Sequence, residues 1–149
     1  YGDSVIFHYN RHTGLLEHSF TRLADFSNPP RLVSCKDPLE EEGFRSGVFS
    51  IDDASIVFAA SDALSHYVLM MYELSKSAEF ESELMELRMK RTSNSQLLQM
   101  AEKEVFKFYD DVLNPLLRSV DSEADFKELM ESLCVKKLID TDDYTLAIL

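Results

Sequence analysis

Hydrophobic and polar positions change rhythm at one point in this chain. Ile56-Val57-Phe58-Ala59-Ala60 is a continuous apolar run with β-branched and aromatic residues, the pattern of a strand covered on both faces. From Asp62 the period lengthens. Leu64, Tyr67, Val68, Met71 and Tyr72 recur at helical spacing, so one stripe of a helix running to about Lys76 can face a core. Asp62 is the single carboxylate between the two patterns. A charge at the exit of a buried strand is costly unless a helix N-terminus or a metal ion offsets it.

The same reading predicts the elements on either side. Val5, Phe7 and Tyr9 share one strand face, residues 10–14 supply turn chemistry, and residues 15–21 return as the second arm of a hairpin. Residues 22–46 are irregular: Asn28-Pro29-Pro30 and Pro38 forbid regular structure, and Glu40-Glu41-Glu42 is a solvated acidic run. Residues 47–51 predict a third strand, turned by Asp52-Asp53-Ala54 into an antiparallel, central fourth, Ser55–Ala60. A second helix starts near Ser77, with Phe80, Leu84 and Leu87 inward and Glu79, Glu81, Glu83 and Glu86 outward. After a break at residues 92–95, a third aligns Leu98, Ala101, Val105, Phe108, Tyr109, Val112 and Leu116, divided at Asn114-Pro115. Ser122-x-x-Asp125 has capping-box spacing and opens a fourth helix that buries Phe126, Leu129, Met130 and Leu133. Met70, Met71, Met85 and Met89 read as core packing. An apolar strand over residues 144–149 ends the chain. Strands, then helices, then one strand make an α+β fold.

Composition narrows the function classes. The 149 residues are 45% hydrophobic, which suits one globular domain or part of one and argues against disorder. A net charge of −12 argues against a nucleic-acid partner and allows divalent cations. Cys35 and Cys134 have no metal-like spacing and read as reduced thiols in an intracellular protein, with one long-range disulfide as the alternative. No apolar run reaches membrane-spanning length, and no signal peptide is evident. A start at Tyr1 rather than Met, almost inside a strand, suggests that the N-terminal part of a longer protein is missing.

Candidate chemistry sits at strand ends: Asp3 before the first strand, Asp62 after the central one, Asp142-Asp143 before the last. If those ends lie together the carboxylates converge, and hard divalent cations take oxygen ligands of this kind. Each carboxylate also has a structural reading: Asp62 as a helix cap, Asp142 and Asp143 as turn residues, Asp3 as a turn acceptor. His66 stands one helical turn beyond Asp62 and reads as a ligand, a hydrogen-bond partner or a structural neighbour. His8, His12 and His18 form no cluster in sequence, 4 glycines leave no phosphate-cradling loop, and no nucleophile arrangement stands out.

Gly2-Asp3-Ser4 opening a strand, Ala60-Ser61-Asp62-Ala63-Leu64 closing one, and Asp142-Asp143-Tyr144-Thr145 opening the last together resemble the protein phosphatase 2C-type family of metal-dependent serine/threonine phosphatases. There a Gly-Asp-Ser strand, a Ser/Thr-Asp-Gly-Leu segment and an Asp-Asn/Asp-x-Thr strand follow in this order. Phe26-Ser27-Asn28-Pro29-Pro30 and the Asp-Ala-Leu form resemble a bacterial branch. The resemblance implies a layered α/β/β/α sandwich of mostly antiparallel sheets. It implies a binuclear Mn²⁺ or Mg²⁺ site and a metal-bridging water that attacks a phosphoserine or phosphothreonine of a phosphoprotein substrate. By resemblance Asp62 and Asp142 are metal ligands, Asp3 belongs to a weaker additional site, and Asp143 and His66 stand beside the ligands. The setting implied is cytoplasmic, with no membrane or nucleic-acid partner.

Ala63 departs from the family's Gly, His66 from a second Asp, and Asp143 from the commoner Asn. The Asp-Gly-x-Gly-Gly-type motif of the family's N-terminal half is not in this sequence. The expectation is therefore a C-terminal half domain, inactive or nearly so by itself, with a homodimer through exposed sheet edges left open. Two other readings stand beside it: a pseudophosphatase, and an acidic α+β interaction module working through its helices.

Overall fold

The computed structural model describes residues 4–27, 36 and 46–149. Its architecture is α+β: a four-stranded antiparallel sheet with five α-helices among the described residues. Strands β1 (Val5–Asn10), β2 (Leu15–His18), β3 (Ser55–Ala60) and β4 (Leu146–Ile148) lie in the order β2-β1-β3-β4. The hairpin between β1 and β2 closes as its residues dictate. The Asn10 carboxamide oxygen accepts the N–H groups of His12 and Thr13. Gly14 then takes φ +67°, which a side chain rarely tolerates.

In-register pairs place Val5, Phe7 and Tyr9 of β1, Leu16 of β2, and Phe58 and Ala60 of β3 on one buried face. Helix α1 (Asp62–Ser75) presents Leu64, Tyr67, Val68, Met71 and Tyr72 to the same core, as its spacing predicts. The Tyr72 hydroxyl accepts the Leu16 N–H at 3.1 Å, so the one polar atom of that ring is satisfied within the apolar layer.

The second face differs from expectation. Val57 and Ala59 are half-buried and Ile6 is 46% exposed, so β3 is sealed on one side and only partly covered on the other. His8 is buried there under the ring of Phe49, which stacks on it at 4.6 Å. Its Nδ1 lies 2.8 Å from Glu17 Oε2 and its Nε2 2.9 Å from Ser55 Oγ. Ser55 Oγ also donates to the Asp52 carboxylate and accepts the Asp52 N–H, so the array clasps three strands together. The sequence put Glu17, His8 and Ser55 in three separate segments and gave no hint of this contact.

Three further expectations are corrected. Residues 47–51 form no strand. With β1 on one side of β3 and β4 on the other, β3 has no edge left for the segment that precedes it, and Val48 and Ile51 stay exposed. Helix α2 (Glu81–Met89) begins later than Ser77, and Met85 and Met89 point to solvent while Leu84 and Leu87 are buried. Helix α3 (Ser93–Ala101) stops at its last small core residue, so the predicted third helix is not continuous and Val105 is fully exposed.

The chain resumes with a π-helical turn, Phe108–Leu113, that runs into α4 (Asn114–Ser119). Pro115 has no N–H to give the carbonyl of Asp111, which loosens the α ladder where the wide turn sits. Helix α5 (Glu123–Val135) starts as predicted, with Ser122 Oγ accepting the Asp125 N–H at 3.3 Å. The proline pair at Pro29 and Pro30, the acidic run Glu40–Glu42, Cys35 and Asp3 lie outside the described residues. Cys134 is a free thiol. Among the described residues no helix is long and apolar enough to cross a membrane.

Candidate functional site

Two segments far apart in sequence are lashed together by one serine. Ser61 occupies the N-cap position of α1, with extended backbone at φ −66°, ψ 167°, yet its side chain does not cap the helix. Its hydroxyl instead donates to the Asp143 carbonyl at 3.0 Å and accepts the Thr145 N–H at 3.1 Å. Its own N–H donates to the Thr145 carbonyl at 3.0 Å. This continues the β3–β4 ladder one residue past the strand ends. Asp62 and the 140–143 loop are thereby held side by side, although Ser61 and Asp143 are 82 positions apart.

Asp62 is the first residue of α1, and its Oδ1 accepts the Ala63 N–H at 2.6 Å. The carboxylate thus meets one of the unpaired amides of the first turn, where the helix dipole favours negative charge. Asp62 therefore lies inside the first turn of the helix, and the cap position is held by Ser61. Asp142 Oδ1 accepts the Asp143 N–H at 2.8 Å, and Asp140 Oδ1 the Thr141 N–H at 2.9 Å. The turn reading of Asp142 is therefore realised. Asp62, Asp140 and Asp142 all line one depression.

That depression has a volume of about 110 Å³ and is lined by Asp62, Ala63, His66, Asp140 and Asp142 together with Phe26, Asn94 and Leu97. The structure thus brings Asp62, Asp142 and His66 to one place. Asp143 contributes its backbone to the Ser61 contact and is absent from the lining. Asp3 lies outside the described residues. Asp140 and Asn94 carry no site expectation from the sequence, and Phe26 enters there only within the Phe26–Pro30 segment. For Asp140 a signal existed, since Asp140-Thr141-Asp142 places two carboxylates two apart in one turn.

His66 is the unusual member. It is 4% exposed, and its Nε2 has no hydrogen-bond partner among the described residues. The Phe26 ring meets the imidazole edge-on at 5.6 Å and is stacked in turn on Phe20. Burial pushes the His66 pKa down to about 4, so the ring is neutral near pH 7.

The loop is braced from behind by Tyr144. Its hydroxyl donates to the Asp140 carbonyl, accepts the Asp142 N–H at 3.3 Å and lies 3.2 Å from Cys134 Sγ on α5. With its one proton given to Asp140, the phenol oxygen accepts from both the amide and the thiol. Burial raises the Tyr144 pKa to about 12, which keeps that donor protonated.

Three carboxylates and a neutral imidazole nitrogen without a partner form a donor set chemically suited to a divalent cation. Among the described residues, however, no three His, Cys, Asp or Glu side chains are drawn together closely enough to hold an ion. No family model, curated protein or solved structure matches the chain.

Proposed function

We propose that this chain is the C-terminal part of a metal-dependent serine/threonine phosphoprotein phosphatase, with Asp62 and Asp142 as ligands to Mn²⁺ or Mg²⁺. The observation that carries the reading is the Ser61 junction, which ties the end of β3 to the start of β4 and sets Asp62 and Asp142 on one depression. The Ser61-Asp62-Ala63-Leu64 and Asp142-Asp143-Tyr144-Thr145 segments that resemble that family meet in space. When bound, the ion would supply activation of a water and neutralisation of phosphoryl charge.

This chain's own residues have narrower tasks. Ser61 fixes the relative position of the two aspartates. Tyr144 holds the Asp142 amide and the Asp140 carbonyl, so the loop does not have to be ordered when a ligand arrives. Phe26 and Leu97 form the apolar wall of the depression. Asp3 stays with this proposal as part of a weaker additional site. The partner is a phosphorylated protein, and the chain alone is expected to be inactive or nearly so.

The test is phosphopeptide turnover with Mn²⁺, on this chain and on a longer protein that carries it. Turnover by the longer protein, lost when Asp62 or Asp142 is changed to Asn, is the expected result. A longer protein with neither turnover nor Mn²⁺ affinity would leave a non-catalytic regulatory or interaction role in its place.

A further inference from the structure

We infer that His8 carries two ring protons in the folded chain, and that the second is a pH-sensitive latch whose loss frees Phe49 and the Asp52 turn from the second face of the sheet. None of the residues involved lines the depression, so the latch stands apart from the metal reading.

Counting protons leads to this state. Glu17 Oε2 lies 2.8 Å from His8 Nδ1, and a carboxylate only accepts, so Nδ1 holds a proton. Ser55 Oγ gives its single proton to Asp52 Oδ1 at 3.0 Å. It has none left for His8 Nε2, 2.9 Å away, so that contact needs a proton on Nε2 as well. The two lone pairs of Ser55 Oγ are then filled, one by the His8 Nε2–H and one by the Asp52 N–H at 3.0 Å. A neutral ring has one N–H and leaves the array one proton short. Either Asp52 loses the serine hydroxyl, or Nε2 faces the serine oxygen with no proton between them. Serine, histidine and glutamate can also make an acyl-transfer triad, but there the serine proton goes to the imidazole, and here it goes to Asp52.

The surroundings suit a charged ring. A buried charge is costly unless it is paired and hydrogen-bonded, and Glu17 on β2 supplies the opposite charge. Asp52 stands one hydroxyl further on. Hydrogen bonds from the Asn10 carboxamide and Ser55 hold its carboxyl below the usual range, so it accepts. In the same turn His12 acts on Asp52 through its charge, and the Arg11 guanidinium donates to the Asp53 carbonyl. Phe49 stacks on the imidazole at 4.6 Å, and a cation over an aromatic face is attracted to it. Val48 and Ile51 beside it are exposed, so Phe49 is the anchor of this segment. The latch is closed on the acid side, where the ring is an imidazolium, and opens as rising pH removes the second proton.

The test follows His8 among the four imidazoles of histidine-¹⁵N-labelled protein from about pH 5 to about pH 9, assigned by its through-space contact with Phe49. The Phe49 ring and the Asp52 and Ser55 amides are recorded in parallel. At the acid end both His8 nitrogens should carry bonded protons. As the ring loses one, Phe49 and both amides should shift with the same midpoint, and amide protection at Asp52 and Ser55 should fall about fivefold, the equivalent of one hydrogen bond. Ser55→Ala, checked for fold by circular dichroism, should leave Phe49 following the ring while the Asp52 amide no longer does.

An unprotonated His8 Nε2 at the acid end, or a ring that keeps both protons to the alkaline end, would overturn the inference. So would an Asp52 amide that ignores the His8 titration in the wild type, or one that still follows it in Ser55→Ala.

Discussion

Glu73 offers a test of the core that is independent of any ligand. It lies on the last turn of α1, is 4% exposed, and its Oε2 has no partner among the described residues. Burial, reinforced by the neighbouring Glu83 carboxylate, raises its pKa to about 8 from 4.5. The folded chain therefore holds a proton that the unfolded chain has already released, and stability falls as pH rises through that window. At 1.36 kcal/mol per unit, the loss between pH 5 and pH 9 is on the order of 4 kcal/mol.

Glu73→Gln has nearly the same shape and cannot ionise. At pH 5 it should match the wild type to within about 1 kcal/mol, because both side chains are then largely neutral in the folded state. At pH 9 it should be more stable by roughly 4 kcal/mol, a shift of about 2 M in urea midpoint for a slope near 2 kcal/mol/M. The assay is urea unfolding of both proteins at the two pH values. Titrating groups away from Glu73 are common to both proteins, so their contributions cancel in the difference, and only the coupling to Glu83 is altered with it. An advantage that is the same at pH 5 and pH 9 would refute the assignment of Glu73 as a buried carboxyl held neutral by its surroundings.

Other consequences are smaller and nearer the site. Ser61→Ala removes one donor and one acceptor at the β3–β4 junction, which should cost about 1–2 kcal/mol in chemical unfolding and lower amide-exchange protection at Thr145. Tyr144→Phe leaves the Asp142 N–H and the Asp140 carbonyl without their shared partner. It should cost about 1 kcal/mol and speed exchange at Asp142, while Cys134→Ser, which keeps a donor to the phenol, should leave Asp142 exchange unchanged. Ser122→Ala should cost about 1 kcal/mol by removing the cap of α5, measured by thermal unfolding, with no effect on the depression.

How much of this was legible in the sequence depended on the range of the physics involved. Period and turn chemistry are local. The β1–β2 hairpin, the central strand β3, the start of α1 at Asp62 and the Ser122 cap could all be read from neighbouring residues. What failed were statements about who sits beside whom. The apolar residues of 47–51 suggested a strand, but pairing on β3 was decided by β4, almost a hundred residues later, which occupies the edge such a strand would need. The stripe from Leu98 to Leu116 looked continuous because Val105 fits the helical period, yet the chain breaks after Ala101 and leaves Val105 in solvent.

The site divides in the same way. Asp62 and Asp142 were visible as strand-end carboxylates, and their convergence was conditional on topology. The roles of Ser61, Asp140 and Tyr144 arise only from contacts across the sheet or within a folded loop, which no spacing rule encodes. The burial of His66, with no partner for Nε2, depends on Phe26, forty positions earlier in the chain.

The most direct measurement of the central claim is a calorimetric Mn²⁺ titration of the wild type, Asp62→Asn and Asp142→Asn, in this chain and in a longer protein that carries it. Each substitution is expected to abolish or sharply weaken Mn²⁺ binding while leaving the circular dichroism spectrum and the unfolding midpoint nearly unchanged. Binding that is indifferent to both substitutions, or no binding by the longer protein, would contradict the account.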